Sequence, residues 1–142
     1  MMALACDLRI AAEGSFFCYP EMTLGAFPGS GGPVRLEKLS PAAYAKEVLF
    51  TTRKVSAQEA LQAGFLNKIV RDEELEEETE KLCVEIQRST FQGVAAVKKI
   101  INSIQNHSQA YGQMLSNTLR KGLESTPEYV AGSDRHFEER KH

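Results

Sequence analysis

Apolar residues dominate Met2 to Ala12, and their alternation with polar positions predicts a buried strand. Ser15 to Tyr19 is short and aromatic, which predicts a second strand ending at Pro20. Gly25 to Gly32 is glycine-rich and predicts a loop. Val34 to Leu39 then reads as a short helix. Ser40-Pro41 has the form of an N-cap followed by proline at the first helical position, opening a helix through Phe50. Ser56-Ala57-Gln58-Glu59 has the spacing of a capping box, and Gly64 marks the left-handed end of the helix it opens. Leu66 to Val70 predicts a short strand. The rest of the pattern is helical. Leu75, Leu82, Cys83 and Ile86 form one stripe, with a dense run of Glu opposite. Val94, Val97, Ile101 and Ile104 form another, as do Leu115, Leu119 and Leu123, and Thr126-Pro127 opens a last helix.

Composition narrows the function classes. The chain has 142 residues, 42% of them hydrophobic and 25% charged, the balance of a globular domain with one modest core. A net charge of −2 leaves no electrostatic footprint for nucleic acid. No apolar run is long enough to span a bilayer. Cys6, Cys18 and Cys83 lie in apolar runs and read as buried, reduced thiols in a reducing compartment, with no zinc spacing and no metal implied. The acidic run reads as a solvated helix face.

Candidate chemistry centres on Glu21. It sits in Phe16-Phe17-Cys18-Tyr19-Pro20-Glu21-Met22-Thr23-Leu24-Gly25, just before Phe27-Pro28-Gly29-Ser30-Gly31-Gly32. A carboxylate among aromatic and apolar groups is poorly solvated, which suits a proton shuttle. A glycine-rich turn lets backbone N–H groups approach a ligand closely. Taken alone, a Glu at a strand end is more often a solvated surface residue. Asp7 reads as a structural carboxylate bonded to backbone or to Arg9. Ser30 does not fit a nucleophile elbow, because Pro28 stands where the first glycine belongs. His107, His136 and His142 lie far along the chain in polar surroundings, which leaves a Ser/His/Asp triad without support.

The ordered series is more telling than any one motif. Met2-Ala3-Leu4-Ala5-Cys6-Asp7-Leu8-Arg9-Ile10-Ala11, Pro20-Glu21, Pro28 to Gly32, Ser56 to Ala60 and Ala63-Gly64-Phe65-Leu66-Asn67-Lys68-Ile69-Val70 together resemble the enoyl-CoA hydratase/isomerase, or crotonase, family. That resemblance implies an α/β fold, the C-terminal part of a crotonase-type spiral over residues 1–102. A helical oligomerisation region follows over 103–142. Family members are about twice this length. By resemblance, the backbone donors that hold the thioester oxygen lie outside this chain.

The resemblance also assigns roles. Glu21 matches the family's proton-transferring carboxylate, acting on an acyl-CoA thioester, with coenzyme A as part of the substrate rather than a separate cofactor. Gly29 matches a glycine whose N–H positions the reacting water. The residues alone equally allow Gly29, Gly31 and Gly32 to serve only a tight turn. Arg140 and Lys141 match a basic segment that reaches the adenine or phosphate end of CoA. The other reading of that pair is an ordinary basic helix end. Position 1 matches the second carboxylate of hydratases, but Met1 cannot accept a proton. As native internal sequence it favours a single-carboxylate double-bond isomerase; as a fragment start it leaves the native residue open. A truncated, non-catalytic assembly module is the remaining alternative. Homo-oligomers, trimeric or hexameric, are implied. So is a cytoplasmic location, or the mitochondrial matrix in a eukaryote. Thr51-Thr52-Arg53-Lys54 departs from the family's usual Thr-Gly turn.

Overall fold

Helix propensity, not alternation, decides the first element. The computed structural model describes residues 2–26, 28, 31–105, 107, 109–124, 126–127 and 130–131. Met2–Ala5 is a helix, α1, where the sequence predicts a strand. Met, Ala and Leu are strong helix formers, and the segment has no β-branched residue. Strand β1, Ile10–Ala12, starts at the first one. It is followed by β2 at Phe16–Phe17 and a 3-10 turn over Pro20–Leu24, a segment between the predicted strand and loop to which the sequence assigns no element. Next come α2 at Gly32–Leu39, α3 at Ala42–Thr51, β3 at Val55–Ser56, α4 at Ala57–Gln62 and β4 at Lys68–Val70. A 3-10 turn at Asp72–Glu74 leads into α5, Leu75–Gln87, then α6, Phe91–Ile104, and α7, Gln109–Glu124.

The strands form two small sheets. β1 pairs in parallel with β4, with Ala11 opposite Ile69, and β2 pairs antiparallel with β3, with Phe17 opposite Val55. A parallel pair needs a crossover, and here it is the whole run from β2 to α4. Asn67 extends the ladder, its N–H donating to the Arg9 carbonyl at 2.9 Å and its Oδ1 accepting from the Arg9 N–H at 2.8 Å. The chain divides into compact units at Lys81/Leu82. In the first unit the core gathers around Phe65, Leu36, Val48 and Val55, all fully buried. Phe17 meets Phe65 edge-on at 5.2 Å. In the second unit α6 packs on α7, and a methyl group at Gly112 would overlap Ile104. Along α6 the stripe residues Val97 and Ile101 stay about half exposed, at 56% and 50%.

Local capping departs from the sequence reading in instructive ways. The Ser40 hydroxyl donates back to the Leu36 carbonyl at 2.8 Å, so it closes α2 instead of opening α3. Ser56 does cap α4, accepting from the Glu59 N–H at 3.2 Å. The Glu59 carboxylate does not complete the box. It takes Arg53 Nη1 at 2.9 Å and the Tyr44 hydroxyl at 3.2 Å, and that ion pair holds its carboxyl below the usual range. Cys6 and Cys83 are exposed and Cys18 is half-buried, which corrects the expectation of buried thiols.

Thr52 ends α3 at φ 53°, in the left-handed region, so the turn keeps the backbone that a glycine adopts freely. A β-branched residue is strained there. Thr52→Gly is expected to raise stability by about 1 kcal/mol, a few degrees in melting temperature. A thermal melt checks it; an unchanged or lower midpoint would show that the threonine side chain offsets its strain.

Candidate active site

Glu21 is fixed by its backbone. Tyr19 caps the turn at φ −129° and ψ 75°, and Pro20 begins the 3-10 turn with its ring already set for a helical φ. The Thr23 hydroxyl donates to the Pro20 carbonyl at 2.7 Å. Gly25 closes the turn at φ 72°, a left-handed value that suits glycine, and its N–H donates to the Met22 carbonyl at 3.3 Å. The Ala26 N–H then donates to the Glu21 carbonyl at 3.0 Å. The turn is therefore tied at both ends around the carboxylate.

The side chain of Glu21 is half-buried, and its Oε2 is buried without a hydrogen-bond partner. Buried oxygens are nearly always paired, because an unpaired one loses water and gains nothing in return. An orphaned carboxylate oxygen on a rigid turn is thus left free to accept a proton or a ligand hydrogen.

Tyr19 belongs to the same site and was assigned no role from sequence. It is almost fully buried in the core. Burial first, and the nearby Glu21 carboxylate second, push its phenol up to about 12. An unfolded phenol ionises near 10, so the unfolded chain loses its proton first as pH rises. Stability is full below pH 10 and is lost as pH climbs toward about 12. The Tyr44 phenol is also raised to about 12, by burial and then by Glu59. Tyr19→Phe is accordingly expected to flatten, not abolish, the alkaline fall in melting temperature. A slope as steep as the unsubstituted protein's would remove Tyr19 from this account.

Among the residues singled out from sequence, Glu21 is described, while Gly29, Arg140 and Lys141 lie outside the described residues. Around the glycine loop, Gly31 has φ 77° and Gly32 is the buried first residue of α2. The Arg35 side chain lies across Gly31, with Nε 3.3 Å from where a Cβ would stand. The His107 ring lies against that of Tyr111, with centroids 4.5 Å apart and planes tilted by 42°. The described residues contain no group of His, Cys, Asp and Glu placed to hold a metal ion, and no described helix is long and apolar enough to cross a membrane.

Arg9 is the other residue that sequence reasoning underrated. It is buried, at 9% exposure, and its Nε donates to the Phe65 carbonyl at 2.6 Å. Its Nη1 donates to the carbonyls of Cys6 and Ala3 at the end of α1. The available signal was a cation in a largely apolar segment just before β1, which is stable when buried only if it finds acceptors.

Comparison with known proteins bears on the whole arrangement. The model of the enoyl-CoA hydratase/isomerase family matches residues 1–142. The chain belongs to that family. Among curated enoyl-CoA hydratase/isomerase relatives, it is 41% identical over 99 residues to carnitinyl-CoA dehydratase of Salmonella typhi. That alignment takes in 70% of this chain and 38% of the dehydratase. Among solved structures, enoyl-CoA hydratase subunit I from Geobacillus kaustophilus superposes with a TM-score of 0.94 at 30% identity, over 97% of this chain and 54% of that one. Enoyl-CoA hydratase from Bacillus anthracis gives 0.92 at 32%, over 96% and 53%. Human enoyl coenzyme A hydratase domain-containing protein 3 gives 0.89 at 27%, over 97% and 54%. The chain thus spans about half the length of these structures. Its fold is the C-terminal part of the crotonase fold followed by helices.

Proposed function

We propose that this chain carries the acid–base element of an enoyl-CoA hydratase/isomerase site, with Glu21 as the proton shuttle on an enoyl thioester. The observation that carries the reading is the orphaned Oε2 of Glu21, held on a turn tied at both ends, in a chain of this family. The substrate is an acyl-CoA, and coenzyme A enters as part of it. The reaction is reversible addition of water across the double bond next to the thioester. The dehydratase name of the Salmonella relative supports that direction of chemistry. In it the water oxygen bonds to the far carbon of the double bond, Glu21 gives a proton to the carbon beside the thioester carbonyl, and the proton released by the water restores Glu21; the reverse direction retraces these transfers. A carboxyl oxygen without a hydrogen-bond partner serves both directions, since no fixed bond has to break for it to take or release the proton. Gly29 positions the water, Arg140 and Lys141 meet the phosphate or adenine end of CoA, and the terminal helices carry the oligomer contacts.

A second reading is a double-bond shift by Glu21 as a single carboxylate, which applies if Met1 is native internal sequence at the position where hydratases have their second carboxylate. The two readings separate on substrate. Incubating the intact protein with a 2-enoyl thioester and with a 3-enoyl thioester distinguishes water addition from isomerisation by product. Turnover of either that disappears in Glu21→Gln supports the shuttle; full turnover in Glu21→Gln overturns it.

A further inference from the structure

We propose that Leu24 is an acyl-chain contact, and so a determinant of chain-length preference, at the site built around Glu21. The inference rests on the reading of that site as an acyl-CoA site and goes beyond it. A 3-10 helix repeats every three residues, so side chains at i and i+3 stand one above the other. Glu21 and Leu24 have that relation within the Pro20–Leu24 turn. Leu24 is 79% exposed. A scattered exposed leucine needs no explanation, but this one is in register with the only buried side-chain oxygen found without a partner among the described residues. Its backbone is also held, by the Ala26 N–H on the Glu21 carbonyl at 3.0 Å and by the left-handed Gly25 that follows.

The geometry sets which part of a ligand Leu24 can meet. Three residues of a 3-10 helix rise about 6 Å. If the reacting carbons lie at the Glu21 carboxylate, Leu24 lies several carbons further along. It therefore touches the tail of a medium chain and not a short acyl group. Among its neighbours, Met22 is 45% exposed but lies a third of a 3-10 turn away from the Glu21–Leu24 row. The Thr23 hydroxyl is turned back on the Pro20 carbonyl at 2.7 Å, and Gly25 and Ala26 are small.

The test is equilibrium binding of butyryl-CoA and octanoyl-CoA to the intact protein, compared with Leu24→Ala and Leu24→Met. Leu24→Ala should weaken octanoyl-CoA about tenfold, leave butyryl-CoA within about twofold, and leave the melting temperature of the free protein unchanged. Leu24→Met, which keeps apolar volume, should restore most of the octanoyl affinity. An equal loss for both chain lengths, or a fall in melting temperature with the affinity ratio unchanged, makes Leu24 a packing residue against protein and overturns the inference alone. Failure of the unsubstituted protein to bind either thioester overturns the acyl-CoA reading of the site and the inference with it.

Discussion

Glu21→Gln is expected to slow turnover of an enoyl thioester by about 10² to 10⁴-fold, the usual contribution of one well-placed acid–base group. At about 1.4 kcal/mol per factor of ten, that is roughly 3 to 6 kcal/mol of barrier. The substitution keeps shape and hydrogen-bonding capacity and removes only the ability to take and release a proton. Stability should not follow activity down. Oε2 is buried and unpartnered, so an ionised carboxylate there is held against its own desolvation. A neutral amide relieves that cost, and the melting temperature should hold or rise. This opposite movement of activity and stability is the signature of a group kept for chemistry. A variant that loses turnover and melts at a lower temperature would mark Glu21 as a structural carboxylate. One that keeps full turnover would remove it from the reaction.

Much of the fold was legible because local signals there agreed with tertiary needs. The Ser56 cap, the left-handed Gly64 at φ 87° and the apolar stripe of α6 all rest on interactions within a few residues. Glu21 was legible as a candidate for a similar reason, since its apolar neighbours and the following glycines are contiguous. The failures share a different cause. Met2–Ala5 reads as strand only if apolar content outweighs propensity, and in the structure propensity wins. The 3-10 turn under Glu21 is closed by backbone bonds to Gly25 and Ala26, which no side-chain pattern announces. Ser40 had two backbones within reach, and only the finished structure shows that its hydroxyl turns back to Leu36. Arg9 was hardest to read. One of its acceptors lies 56 positions along the chain at Phe65, and others lie on carbonyls freed by the end of a helix that was itself misread.

Arg9→Met is expected to cost about 2 to 4 kcal/mol of folding stability, from buried carbonyls left without donors. Met retains the apolar stem of Arg, so the loss reports the guanidinium and not a cavity. The Phe65 carbonyl loses its bond to Nε, recorded at 2.6 Å, and the Cys6 carbonyl loses Nη1. The Ala3 carbonyl keeps the Cys6 N–H at 3.3 Å and suffers less. The strand register should survive, because the Asn67 N–H reaches the Arg9 carbonyl, a main-chain group that the substitution leaves in place. Damage is therefore confined to the tether between α1 and the segment that carries Phe65, whose ring is fully buried against Phe17. Arg9→Lys should fall between the two. A single ammonium can satisfy one of these carbonyls well but cannot reproduce the planar fork that spans both segments. Urea melts decide the matter, with a lowered midpoint at unchanged slope as the expected result. A midpoint equal to that of the unsubstituted protein would mean that the guanidinium only replaces water at those carbonyls. Its burial would then be incidental to the stability of the site that the same core supports.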